Sequence, residues 1–265
     1  MQKKIVVHMY LKNGKAVTGF DGKELLEDGD VMSIAQHYSN NGADELLIFD
    51  LSDDDADHEQ SLNLIRQISR VIDIPMSGGG HIKNLEDVKK LLYAGCQQVF
   101  LNYAKAVNIE LTEEVSKRFG KEKIAICTDS FAQLQANKAR VNEYTSRVIL
   151  LCDEVDVRTT ARLVEVPVLP VSTRADRHGL LKLLMLDNIC GVCGDTFSDL
   201  NEDLMAAKLE AKKHGVEINT FESKMSWNEL KLNSDGMIPV VVQDYKNLEK
   251  ELDKKIKHTP TDHPG

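Results

Sequence analysis

Strand-like and helix-like segments alternate along this chain from about residue 4 to residue 215, and no other feature of the sequence restricts the fold as strongly. Runs such as Leu46-Leu47-Ile48-Phe49 are apolar without a polar alternation, the pattern of strands covered on both faces. Between them, apolar residues recur three and four positions apart, as at Leu62, Ile65 and Ile68, which is the spacing of one helix face. Strands are predicted at residues 4–9, 46–49, 71–74, 98–101, 123–127, 147–152, 168–171 and 188–192. Helices are predicted after each, including one capped by Asp30, one capped by Asn84, and others at 111–118, 131–141, 158–164, 180–186 and 200–214. Asn13-Gly14 marks a hairpin that returns through residues 16–19.

Eight such units in about 215 residues fit an α/β chain folded as a TIM-type (βα)8 barrel better than a doubly wound sheet. The barrel is expected to occupy residues 1–220. Residues 221–265 read as a short C-terminal appendage, too small for a confident core of its own and ending in a tail that frays.

A formal net charge of −9 argues against a nucleic-acid or anionic-membrane partner, which needs a basic face. No segment approaches the roughly 18 apolar residues of a spanning helix. Lys12, Asn13 and Gly14 interrupt the first apolar run too early for a secretory signal. The five cysteines lie mostly in apolar runs, as expected of reduced thiols in a cytoplasmic protein. Cys190 and Cys193 form a C-x-x-C, but no second pair stands at zinc-site spacing, so neither a metal nor a cofactor is expected.

The stretch with the clearest chemical potential is Pro75-Met76-Ser77-Gly78-Gly79-Gly80, placed between the third strand and the helix capped by Asn84. Three glycines allow backbone N–H groups to approach an anion closely, although a tight strand-to-helix turn needs glycine as well.

Several segments in matching order give the chain a specific resemblance. They are Leu11 to Val17, Gly29-Asp30, Asn41 to Leu46, Phe49-Asp50-Leu51, Ile74 to Gly80, and Tyr93-Ala94-Gly95 leading to Val99-Phe100-Leu101-Asn102. Over residues 1–130 the chain resembles the histidine-biosynthesis barrels: the cyclase subunit of imidazole glycerol phosphate synthase and the phosphoribosyl-formimino isomerase. Beyond residue 130 the likeness thins to a shared strand–helix rhythm.

The resemblance implies a general acid and base at the ends of strands one and five. Asp129 keeps the second position, whereas Tyr10 stands where the first aspartate is expected, and Thr18 replaces a frequent lysine. It also implies two phosphate positions. One uses Gly78, Gly79, Gly80 and Asn102, with His81 read as a one-residue insertion after the glycines. The other falls at Val171-Ser172-Thr173-Arg174 and Gly194-Asp195-Thr196, where Ser172 or Arg174 could hold a phosphate and Asp195 would repel one. That second position reads as lost.

Residues 231–244 resemble the opening of phosphoribosyl-AMP cyclohydrolase, without that enzyme's cysteine-rich zinc-binding part. The expectation is a catalytically degenerate barrel that binds a phosphorylated ribosyl ligand or serves as scaffold to a fused or docked cyclohydrolase domain. The alternatives are an active cyclase or isomerase using Asp129 on a phosphoribosyl aminoimidazole carboxamide, and an interaction module without ligand.

Each candidate has a plainer reading. Asp129 and Asp50 end strands and could face the barrel mouth or cap the segments that follow. The aspartates at 53, 54, 55 and 57, with His58, could hold a divalent cation, but such a run is more often solvated. His81 could contact a ligand beside the glycines, and Tyr10 could pack in the core or plug the substrate's place.

Overall fold

The computed structural model describes residues 2–153 and 155–220. Strand β1 (Lys4–Lys12) turns at Asn13 and Gly14, both left-handed with φ of 49° and 69°, and returns as β2 (Lys15–Thr18). Asn and Gly are the residues that tolerate this conformation, so the predicted hairpin forms. A short strand β3 (Glu24–Leu25) pairs with β2. Helix α1 (Val31–Asn40) starts at Asp30, whose carboxylate accepts from the Met32 N–H. Then come β4 (Glu45–Asp50), α2 (Asp55–Ile68), β5 (Met76–Gly79), α3 (Leu85–Tyr93), β6 (Gln98–Asn102) and α4 (Ala106–Phe119). Next are β7 (Ile124–Thr128), α5 (Phe131–Ala136), α6 (Lys138–Tyr144), β8 (Arg147–Leu151) and α7 (Val157–Leu163). The described part ends with β9 (Val168–Ser172), α8 (Arg177–Leu183), β10 (Gly191–Gly194), α9 (Asp195–Ser198) and α10 (Leu204–Lys213).

Apart from the antiparallel β2 and β3, the strands form one parallel ring in the order β1, β4, β5, β6, β7, β8, β9, β10. The ring closes where Lys4, Ile5 and Val6 of β1 pair with Gly191, Val192 and Cys193 of β10. This closed parallel barrel wrapped by helices is the TIM-type architecture expected from the alternation. Closure leaves the eight-stranded ring without an edge, and its strands are largely buried on both faces, whereas β3 is exposed. On β1, Ile5, Val7 and Met9 pack outward with the helices, while Val6 and Tyr10 belong to a separate inner cluster with Leu47, Phe49 and Phe100. Among the described residues no helix is long and apolar enough to cross a membrane.

Several boundaries differ from expectation. The apolar run 71–74 is not the third strand. The N–H groups of Val71 and Ile72 bond back to the Ile68 carbonyl at 2.9 and 3.2 Å, so these residues finish the turn of α2. The strand is Met76–Gly79 instead, and Gly78 and Gly79 lie inside it. The helix predicted at 131–141 divides at Asn137 into α5 and α6, the last strand shifts to Gly191–Gly194, and a one-turn α9 precedes α10. Helix α4 begins at Ala106, five residues before the predicted start at 111. The predicted appendage and the cyclohydrolase-like residues 231–244 lie outside the described residues.

Candidate functional site

The C-terminal ends of β4 to β7 surround a cavity of about 380 Å³. Such ends are where barrel chemistry gathers, because loops of different strands converge there on a rigid scaffold. The cavity brings together Asp50, Gly79, Gly80, His81, Asn102 and Asp129 of the sequence-derived candidates. Gly78, Tyr10 and Ser172 are not among its lining residues.

The three glycines serve different needs. Gly78 faces the helices, where an added Cβ would stand 2.7 Å from the Cys96 Sγ. Gly79 faces inward, where a Cβ would stand 2.3 Å from the Phe100 ring. Gly80 has φ +114° and lies against the Asp50 carbonyl oxygen, 2.0 Å from where a Cβ would sit, so both conformation and close approach require glycine. His81 continues the turn in the left-handed region at φ 52°. Its Nδ1 faces the Ser52 carbonyl at 3.1 Å and its Nε2 faces Asp55 at 2.7 Å.

Two lysines that sequence reasoning did not single out line the same cavity. Lys12, the last residue of β1, pairs with Asp53 at 3.1 Å. Lys105 precedes α4 and has no ion-pair partner among the described residues. The signal for Lys105 was its position three residues past Asn102, hidden by placing the helix start too late. Asn102 holds the loop between them: its Oδ1 accepts from the Ala104 N–H at 2.9 Å and its carbonyl from the Lys105 N–H at 3.0 Å.

The acidic loop disperses rather than converges. Asp54 caps α2, Asp53 pairs with Lys12, and Asp55 pairs with His81 and with Lys83 at 2.6 Å. His58 turns inward to Asp50, its Nδ1 2.5 Å from the carboxylate, and its ring stacks on His81 with centroids 4.8 Å apart. Among the described residues no group of three or more His, Cys, Asp or Glu side chains is placed to hold a metal ion.

Asp129 is exposed at the cavity, and the cap of α5 is its neighbour Ser130, which accepts from the Gln133 N–H. Tyr10 is buried at 2 % exposure, with Phe20 and Phe49 against it at centroid distances of 4.7 and 5.4 Å. Among the described residues its hydroxyl has no hydrogen-bond partner. Burial, and then the charges of Asp195 and neighbouring groups, push the phenol well above its ordinary value of 10.0. A phenol held neutral in this way cannot act as a base at neutral pH.

Across the ring from β5, the end of β9 carries Ser172. Its hydroxyl donates to Asp153, and the Thr173 N–H lies 3.1 Å from both oxygens of the same carboxylate. Asp195, after β10, pairs with the buried His8 at 3.1 Å. In the C-x-x-C, Cys193 is fully buried with its Sγ 3.4 Å from the His8 Nδ1, and burial raises its thiol well above the ordinary 9.0.

A family model described as "Histidine biosynthesis protein" matches residues 4–187. Among curated proteins, the imidazole glycerol phosphate synthase subunit HisF of Flavobacterium psychrophilum is 33% identical over 130 residues, 49% of this chain and 52% of the relative. The subunit of the same name from Wolinella succinogenes is 32% identical over 144 residues, 54% of this chain and 56% of its own length. That of Staphylococcus aureus strain Newman is 34% identical over 131 residues, with 49% and 52% covered. The chain spans about half the length of the curated relatives it matches.

Proposed function

The chain belongs to the histidine biosynthesis protein family, and on that premise we propose that its barrel binds a phosphorylated ribosyl ligand without the family's paired acid–base chemistry. One observation carries this reading: Gly79, Gly80, Asn102 and Lys105 share a cavity with Asp129, while Tyr10, buried against Phe20 and Phe49, is not among its lining residues. A side-chain-free turn beside lysine and histidine suits a phosphate. The strand-one aspartate that the family resemblance pairs with Asp129 is replaced by Tyr10, so that acid–base pair lacks one member. The likeness of residues 231–244 to the opening of phosphoribosyl-AMP cyclohydrolase supports a compatible role as partner to such a domain.

The test is calorimetric titration with ribose 5-phosphate, beside a turnover assay on the phosphoribosyl aminoimidazole carboxamide substrate of the related cyclases. Binding that Gly80→Ala abolishes, without turnover, is the expected result. Clear turnover lost in Asp129→Asn would establish the active cyclase or isomerase instead, a reading that the exposure of Asp129 in the cavity favours. No binding and no thermal shift would leave the interaction module.

A further inference from the structure

A second cavity, of about 310 Å³, lies where β1 meets the β1–β2 hairpin, α1 and α9, and shares no lining residue with the first. Its volume is that of a site for a small molecule. Glu27, Asp195 and Asp199 stand exposed in its wall, and His8 is the one basic side chain of the lining, without lysine or arginine. Asp195 takes up His8 at 3.1 Å. Asp199 accepts from the Asn201 N–H at 2.9 Å, and Glu27 has no ion-pair partner among the described residues. Two carboxylates of the lining are therefore left without a cation there.

Acidic side chains at a rim are commonly just solvated, but the buried wall adds an unmet hydrogen-bonding group. Tyr38 donates to the Ser198 carbonyl at 2.6 Å and is satisfied. Tyr10 also lines this cavity, is only 2 % exposed, and has a hydroxyl without a partner among the described residues. That hydroxyl sits in the field of the same carboxylates: burial first, then Asp195, raises the Tyr10 phenol. Burial first, then Cys193, Asp199 and Asp195, raises that of Tyr38.

We infer that this second cavity binds a small organic ammonium ion, a protonated primary amine carried on an apolar stem. An ammonium offers three donors and no acceptor, which matches a wall of carboxylates and an idle phenol oxygen. Met9, Val17, Leu26 and Leu200 supply the apolar surface for the stem. A bare metal ion fits less well, because among the described residues no group of three or more His, Cys, Asp or Glu side chains is placed to hold one. An anion of the same size meets uncompensated negative charge and is rejected. The inference stands apart from the phosphate reading, since the two cavities have separate walls.

The experiment titrates the full chain by calorimetry with phenethylamine, and with phenethyl alcohol and phenylpropionate as its neutral and anionic counterparts, at neutral pH and fixed ionic strength. The amine is expected to bind at least about tenfold more tightly than the alcohol, and phenylpropionate more weakly than either. Glu27→Gln and Asp195→Asn should each weaken the amine by about fivefold while moving the alcohol by no more than about twofold. Tyr10→Phe should weaken the amine by about threefold. Glu27 is exposed, so Glu27→Gln gives the readout even if Asp195→Asn, which alters the partner of buried His8, fails to fold. Equal affinity for amine and alcohol overturns the inference, as do an amine affinity that survives both carboxylate variants and an absence of amine binding. Displacement of the amine by magnesium chloride at matched ionic strength overturns it in favour of a metal site.

Discussion

The Glu45 carboxylate and the Arg147 guanidinium meet inside the base of the barrel from opposite walls, β4 and β8. Arg147 Nη1 donates to Glu45 Oε2 at 3.0 Å, and its Nη2 donates to the other oxygen. Ser77 from β5 donates to the same carboxylate at 2.7 Å and accepts from Arg147 at 2.9 Å, and Lys4 lies 3.2 Å away. A fork-on-fork pair of this kind ties strands that share no backbone hydrogen bonds.

Removing one partner leaves the other charged and buried. Arg147→Met is therefore expected to destabilise the barrel by about 3–5 kcal/mol, measured as a lowered urea midpoint. The double variant with Glu45→Met should recover much of that loss, because a buried ion pair and a packed apolar pair are of similar stability. A double variant as unstable as the single one would show that the pair is not the source.

The same carboxylate makes stability depend on pH. Burial acts to raise Glu45, but Arg147, Lys4 and Ser77 outweigh it and lower the group from its ordinary 4.5 to about 2. A depressed carboxylate contributes its full share above its unfolded value and loses it as pH falls through the folded one. Stability on the order of 3 kcal/mol should thus disappear between about pH 4.5 and pH 2. Unfolding titrations at stepped pH should show this slope in the unaltered protein and a flatter one in Glu45→Gln.

Among the described residues the buried Tyr10 hydroxyl has no partner, so its loss should help. Tyr10→Phe is expected to stabilise by about 1 kcal/mol in urea unfolding, since an unsatisfied buried polar group costs about that much. Ribose 5-phosphate affinity should not change. A drop in stability or affinity would place the phenol in a hydrogen bond with ligand or protein.

Gly80→Ala forces a side chain against the Asp50 carbonyl at φ +114°. It should destabilise by about 1–3 kcal/mol through strain and remove anion binding by displacing the turn. Thermal melts with and without phosphate separate the two effects.

The thiols should be silent. Burial first, with Asp129 adding to it, pushes Cys127 to about 12, and burial alone pushes Cys96 to about 12. Thiol titration with Ellman's reagent at pH 8 should leave these two unreacted in the native protein and reach all five cysteines only in denaturant.

What was legible in the sequence is what local chemistry controls. Uninterrupted apolar runs announced strands buried on both faces, three-and-four spacing announced helices, and Asn13-Gly14, Asp30 and Asn84 marked a hairpin and two caps that the structure contains. The error at residues 71–74 has the same origin. Periodicity cannot distinguish a short buried strand from the apolar turn that ends a helix, and it is the parallel pairing of Met76 with Leu46 that shows where β5 begins.

The sequence by itself determined the barrel and the neighbourhood of its mouth, because element type and order follow from patterns only a few residues long. Tertiary structure decided which groups meet. Glu45 and Arg147 are 102 positions apart, Ser172 and Asp153 are 19 apart, and Phe20 reaches Tyr10 and Phe49 only through the hairpin. Strand pairing around the ring and the β1–β2 hairpin create those encounters. Placing β5 at Met76–Gly79 divides the glycine stretch, because alternation along that strand turns Gly78 outward and leaves Gly79, with Gly80 after it, at the cavity.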